Sequence, residues 1–322
     1  MVTIRDIAKK AGVSASTASR ALNNNAHISE ATIRKVKRIA VEMGYRPDYN
    51  AKNLTLGEAN AVGVIFPVGN DQVTGNPFYI SILSGINQEL IKRKYSLSVA
   101  IAKTNKDLFE NVKSMVMQSK IKRFILLYSK QHDRVANFLR QNELRFVVIG
   151  QPPYQYDYYV DNNNVKAGAS ATKYLLTHNR VQQPLFVTSD QDWAYECQRY
   201  QGFEQVMAQY DLPAQRLQVD LKQLKVLDAF ILAHPKIDGV VVTDDNLAME
   251  FYGSFHRVYP KRQLAVVSFN HVVPSVFLAE HFNSVDLYPE MMGIKAVVLL
   301  FSDREDEKIN AKQHLIVKHK IE

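Results

Sequence analysis

Near residue 60 the spacing of apolar positions along the chain changes. Before it, apolar residues recur every three or four positions: Ile4, Ile7, Ala8 and Ala11, then Val13, Ala18 and Leu22, then Ile33, Val36, Ile39, Ala40 and Met43. That spacing puts each set on one face of a short helix. Thr3, with Asp6 three residues on, is placed to cap the first helix; Ser14 and Ser29 open the second and third. Gly12 supplies the positive φ that a tight turn between the first two requires. Pro47 ends the third helix. The run "YNAKNLTL" that follows is helix-compatible but short, and isolated helices below ~12–15 residues are marginal in water.

From Ala61 the pattern becomes continuous apolar runs alternating with amphipathic stretches. "AVGVIFP", "YSLSVAIA", "KRFILLYS" and "RFVVIG" form one series, and "PLFVT", "RLQVDL", "DGVVVT" and "LAVVSF" form a second after the tyrosine-rich loop 154–159. Apolar strands alternating with helices imply parallel sheets covered on both faces. The expected fold is therefore a small all-α unit followed by an α/β core of two doubly wound parallel-sheet lobes. Ligands in such sheets bind outside the carboxyl ends of the strands, here between the lobes.

Composition sharpens this picture in two places. The formal charge is +8 over 322 residues, but residues 1–60 hold ten Lys/Arg against five Asp/Glu, leaving only +3 for the rest. A basic end on a near-neutral body points to a polyanion for that end, against the alternative of a basic segment that only aids solubility. The one cysteine, Cys197, excludes an internal disulfide framework. No apolar run approaches the ~20 residues of a membrane span, and the charged N-terminal stretch is unlike a signal peptide. The expectation is a cytoplasmic protein without membrane contact.

The second helix, "SASTASRALN", is lean. Its outward positions Ala15, Ser16, Thr17, Ser19 and Arg20 are small or polar. Two helices joined by a short turn and braced by a third match a helix-turn-helix, whose second helix enters the DNA major groove. A surface helix with its hydroxyls in water is the plain alternative. Leu54 in "YNAKNLTL" reads either as a minor-groove wedge or as a linker leucine resting on the next domain.

"TIRDIAKKAGVSASTASRALN" and "ISEATIRKVKRIAVEMGYRPDYNAKNL" resemble the N-terminal headpiece of the lactose/galactose (LacI/GalR) repressor family. The resemblance implies that Ala15, Ser16 and Arg20 read base edges and that Thr17, Ser19, Asn23 and Thr32 position phosphates. Leu54 becomes the hinge-helix wedge, with Ala51 and Lys52 packing and anchoring that helix. It also implies a core of two lobes like periplasmic sugar-binding proteins, crossed three times by the chain. The crossings are expected near 157–163, near 286–290 and within the last fifteen residues. The domains are then 1–46 (helix-turn-helix), 47–60 (hinge helix and linker), 61–160 with 289–322 (first lobe) and 161–288 (second lobe).

Phe78 and Tyr79, Trp193 and Tyr195, Arg199, Asp244 and Asn270 fall near the expected strand ends. Aromatic faces suit the apolar faces of sugar rings, while Arg, Asp and Asn suit hydroxyls through paired hydrogen bonds. Arg199 matches the family's effector-contacting "RxxGF" arginine; a structural salt bridge is its other reading. Asn270 stands where the family usually has aspartate. It loses a charge that would balance Arg199, which admits a ligand carrying its own acidic group or a different hydroxyl pattern. "NPFYISILSGI", "VDNNNVKAG" and "VVSFNHVVP" resemble the maltose and maltodextrin operon repressors of the family most.

No Walker-type, "HExxH" or "GxSxG" motif and no zinc spacing is found, so no catalytic or metal residue and no cofactor is assigned. The expected protein is not an enzyme. It is a homodimeric repressor that binds pseudo-palindromic operator DNA and is released by a small carbohydrate. The alternative is a corepressor- or phosphocarrier-dependent regulator that binds DNA more tightly with its partner.

Overall fold

The computed structural model describes residues 2–45, 58–68, 76–191, 193–220, 224–271, 282–302 and 314–321. The chain divides into two compact units, Met1–Glu58 and Ala59–Glu322.

The first unit contains α1 (Ile4–Ala11), α2 (Ala15–Leu22) and α3 (Glu30–Glu42). Thr3 and Asp6 form a reciprocal capping box on α1, and Gly12 ends it at φ 68°. Ser14 caps α2 by accepting from Thr17 N at 3.0 Å. The core is Ile7, Ala8, Ala11, Ala18, Ala21, Val36, Ile39 and Ala40. One detail differs from the sequence expectation. Ala18 and Ala21 are fully buried, whereas Val13 and Leu22 are only half-buried. Two alanines on the inner face let α2 lie close to its neighbours, and Leu22 is left at the edge of the cluster.

The second unit runs β1 (Ala61–Ile65), α4 (Pro77–Lys92), β2 (Ser96–Ala100), α5 (Asn105–Met117), β3 (Arg123–Leu126), α6 (Arg134–Gln141), β4 (Arg145–Ile149) and β5 (Tyr158–Asn162). It continues with α7 (Asn164–Thr177), β6 (Pro184–Ser189), α8 (Ala194–Gln209), β7 (Arg216–Val219), α9 (Leu224–Ala233), β8 (Gly239–Val242), α10 (Asp245–Val258), β9 (Ala265–Phe269) and β10 (Phe282–Asp286). Last come α11 (Pro289–Phe301), β11 (His314–Val317) and β12 (Lys320–Ile321). Among the described residues two six-stranded sheets form, ordered β11-β5-β4-β3-β1-β2 and β12-β10-β9-β8-β6-β7. Apart from the strand added last, they share one winding.

Each sheet is buried on both faces, as the uninterrupted apolar strands require. Val62, Val64, Ile125, Val147 and Val160 pack with α4 and α11 on one face of the first sheet. Ile65, Phe124, Leu126, Phe146 and Val148 pack with α5 and α6 on the other. The second sheet is likewise enclosed by two clusters, one around Phe186, Phe203 and Phe269 and one around Val240, Phe251 and Phe255. The helices beside the crossings pack backbone to backbone. A Cβ on Gly168 would overlap the Arg199 carbonyl, and one on Gly202 would overlap that of Val165, so α7 and α8 meet at paired glycines. That contact fixes where α8 carries Arg199.

The chain passes between the sheets after Asn162, after Asp286 and after Val317. Two assignments from the sequence need adjusting. Asp161 and Asn162 still belong to the first sheet, because β5 pairs with β4 as far as Val160 and with β11 as far as Asn162. Lys320–Ile321 leaves the first lobe and pairs antiparallel with β10, so the second sheet is not wholly parallel. The physical reason is that the last crossing returns the chain at the carboxyl end of β10, where Lys320 meets Asp286, so the strand runs back along β10.

Candidate functional site

In the first unit, α2 and its C-terminal cap carry most of the residues expected to face DNA, and Thr32 stands on the first turn of α3. Ala15, Ser16, Arg20 and Asn23 are exposed; Thr17, Ser19 and Thr32 are half-buried. Ser16 and Arg20 lie one helical turn apart and share a face. The hydroxyls are partly committed to structure. Thr17 Oγ1 lies 2.8 Å from Ser14 Oγ, and Thr32 Oγ1 lies 2.9 Å from Ser29 Oγ. Asn23 donates its side-chain N–H to Ser19 O at 2.9 Å, closing the end of α2. Arg20 makes no such bond in the described residues. Ala51, Lys52 and Leu54 lie outside the described residues.

In the second unit, the order β2-β1-β3-β4-β5 and its counterpart β7-β6-β8-β9-β10 each reverse between the first and third strands of the lobe. Such switch points open a crevice at the strands' carboxyl ends. Here the crevices of both sheets face one cleft of about 910 Å³. All seven residues singled out from the sequence line it: Phe78, Tyr79, Trp193, Tyr195, Arg199, Asp244 and Asn270.

Arg199 is 4% exposed. Its Nε donates to Asn164 Oδ1 at 3.1 Å and its Nη1 to Thr243 O at 2.7 Å. The guanidinium carbon lies 4.3 Å from the Phe269 ring centre and 4.7 Å from that of Tyr195. Burial pulls its pKa down, against the opposing pull of Tyr195, Asp161, Glu196 and Asp244. Among the described residues no carboxylate forms an ion pair with it, and Nη2 donates to none of them. The salt-bridge reading of Arg199 is thus not what the structure shows; the cation is held by neutral acceptors and aromatic faces, with one amino group left over on a cleft-lining residue.

The carboxylates around it are held by hydrogen bonds. Asp161 accepts from Asn162 N at 2.7 Å and from Asn164 Nδ2 at 3.1 Å, and burial pushes its pKa up to about 6. Glu196, fully buried, accepts from Ser189 N and Oγ and from Thr243 Oγ1, tying the start of α8 to the ends of β6 and β8. Asp244 caps α10 by accepting from Asn246 N at 2.8 Å. It also accepts from Asn270 Nδ2 at 2.7 Å and, across the cleft, from Asn76 Nδ2 at 3.0 Å. Burial and neighbouring Asp245 raise the Asp244 pKa. Asp245 itself is fully buried, does not line the cleft, and takes the hydroxyls of Ser268 and Ser284.

Three comparisons bear on what this arrangement is. Residues 3–48 match the model for bacterial regulatory proteins of the lacI family. Residues 59–314 match the model for periplasmic binding proteins and the sugar-binding domain of the LacI family. The chain belongs to the LacI family of bacterial regulatory proteins. It is 28% identical to the HTH-type transcriptional regulator MalR of Streptococcus pneumoniae, over 99% of this chain and 98% of that protein. Its fold is similar to the structure of a probable maltose operon transcriptional repressor from Staphylococcus aureus (TM-score 0.73, 21% identity, 82% of this chain and 96% of that one). It is also similar to the lac repressor dimer bound to operator and an anti-inducer (TM-score 0.74, 16% identity, 99% and 97%).

Several residues that build the LacI-family cleft were not singled out from the sequence. Asn76 had a readable signal, since an Asn before Pro77 is a helix N-cap followed by proline at the first position. Its reach across the cleft had none. Glu196 and Asn164 looked like ordinary helix residues; the packing of α7 against α8 makes Asn164 a support for Arg199, and Glu196 holds Thr243, whose carbonyl accepts from Arg199. Asn162 is the fourth such residue. Buried at 4% exposure, it donates Nδ2 to Leu287 O and to Val317 O, each at 3.1 Å. One side chain thereby joins all three crossing segments.

Proposed function

We propose that the protein is a sequence-specific transcriptional repressor of a carbohydrate operon, of the maltose or maltodextrin type, released from its operator by a small sugar in the cleft. The observation that carries the reading is the cleft itself. A buried arginine with an unused amino group, a carboxylate and two amides stand among Phe78, Tyr79, Trp193 and Tyr195, in a space of the size that small-ligand sites occupy. Aromatic rings stack on the apolar faces of a sugar, and the polar groups bond its hydroxyls. The chain acts by binding, not catalysis.

On the DNA side, Ser16 and Arg20 read base edges while Thr17, Ser19, Asn23 and Thr32 set the register on phosphates. The working form is a homodimer, whose two-fold symmetry matches a pseudo-palindromic operator. The sugar acts through its different affinity for the operator-competent and operator-released states; equal affinity for both would shift nothing. Support comes from full-length similarity to a MalR regulator and from the match to a sugar-binding domain. The test is fluorescence anisotropy of labelled operator DNA with the full chain at fixed salt, with and without maltose. Weaker operator binding with maltose is expected. Tighter binding with maltose, or no operator binding at low salt, overturns the proposal.

A further inference from the structure

The cleft carries an imbalance of charge that the sequence reading left open. Buried Asp161 and Glu196 and half-buried Asp244 stand against buried Arg199, while half-buried Asp220 and exposed Asp190 and Lys103 also line the cleft. Asp244 is also nearly saturated as an acceptor. Oδ1 takes two backbone N–H groups at the start of α10, and Oδ2 takes the amides of Asn270 and Asn76. Asn270 is held at φ 99°, in a region that asparagine tolerates better than most side chains. With its Nδ2 on Asp244, its Oδ1 has no partner among the described residues. An aspartate at 270 would bring a second carboxylate oxygen to within hydrogen-bond distance of Asp244 Oδ2, and two carboxylates that close cannot both be ionised at ordinary cost.

We propose that Asp244 and Asn270 together set the ligand specificity of the cleft: the fixed charge sits on residue 244, residue 270 is an amide because of it, and the site takes an uncharged, hydroxyl-rich ligand while rejecting a phosphorylated or acidic one. The inference rests on the effector reading above. It reverses the idea that losing an aspartate at 270 makes room for an acidic ligand, because the negative charge has not left the cleft but stands one strand away. A sugar hydroxyl bonds Asn270 Oδ1 and shares Asp244 as Asn76 gives way. A phosphate placed there meets the carboxylates of Asp161, Glu196 and Asp244 and, against them, one arginine with only Nη2 uncommitted.

The test uses the full chain and calorimetric titration with glucose and maltose, each against its 6-phosphate. At least one neutral sugar should bind, and its phosphate at least tenfold more weakly, about 1.4 kcal/mol. Asn270→Asp should lose at least tenfold in neutral-sugar affinity at pH 7.5 and regain part of it at pH 5.5, where the carboxylate pair holds a proton. The double variant Asp244→Asn/Asn270→Asp should regain it at both, since asparagine also caps α10. Groups facing Asp244 are Asp245 on its own helix, Tyr79 from the other lobe, and Tyr195 and Arg199 from α8. Asp161 titrates in the same window, so the unaltered protein is the baseline at each pH. Without ligand, Asn270→Asp should melt lower than the unaltered protein at pH 7.5, and the double variant should restore it. Phosphorylated and neutral sugars binding alike, or Asn270→Asp without effect on binding and melting, overturns the specificity pair and leaves the sugar reading standing. Failure of every sugar to bind removes the sugar reading and the inference with it.

Discussion

Asn162 ties the three crossing segments, and replacing it with alanine tests whether that tie holds the core together. The substitution removes two hydrogen bonds to Leu287 O and Val317 O in a site that is 4% exposed. Each bond contributes about 1 kcal/mol net, and a carbonyl left buried without a donor adds about 1–3 kcal/mol. The expected loss is about 2–4 kcal/mol, which for a unit of this size lowers the melting midpoint by roughly 4–8 °C. Asn163→Ala is the neighbouring control. Asn163 is exposed and only caps α7, accepting from Lys166 N at 2.9 Å, so its loss should cost about 1 kcal/mol. Thermal unfolding of both variants, followed by circular dichroism without ligand, separates the two roles. If Asn162→Ala melts no lower than Asn163→Ala, the side chain is not a tie between the lobes and the reasoning fails.

Asp161 makes stability depend on pH. Its folded pKa is raised to about 6 from 3.8, so the fold favours the protonated form. Its contribution is full below the unfolded pKa and is lost as pH rises through about 6. The stability of the protein relative to Asp161→Asn should therefore rise between pH 7.5 and pH 5, by on the order of 1 kcal/mol; a flat difference across that range would contradict the burial argument. Gly168→Ala should destabilise the core and weaken sugar binding together, because the added Cβ meets the backbone of Arg199. Calorimetry showing full affinity would mean the α7–α8 contact does not position Arg199. On the DNA side, Arg20→Ala should cost about 1–3 kcal/mol on the best operator and flatten discrimination at one base pair. Thr17→Ala should weaken all sequences alike and leave the preference intact, as competition anisotropy over single-base operator variants would show.

Much of this was legible in the sequence because it is local. A three- and four-residue apolar period, caps at Thr3, Ser14 and Ser29, and a glycine at the turn define the small helical unit without reference to anything distant. The α/β core was legible for a similar reason. Strands buried on both faces have to be apolar throughout, and two such series announce two sheets. Strand ends are also readable, which is why all seven expected cleft residues line the same space. Tertiary structure decided what depends on partners far apart in the chain. Whether Arg199 would be an ion pair or a cleft donor turned on Asn164 and Thr243, 35 and 44 residues away. Asn76 and Asp244 meet across 168 residues, and Asn162 meets Val317 across 155. Periodicity fixes which face a residue takes on its own element. It carries no information about which buried polar group on another element will satisfy it, and in this protein those long-range pairings are what shape the cleft.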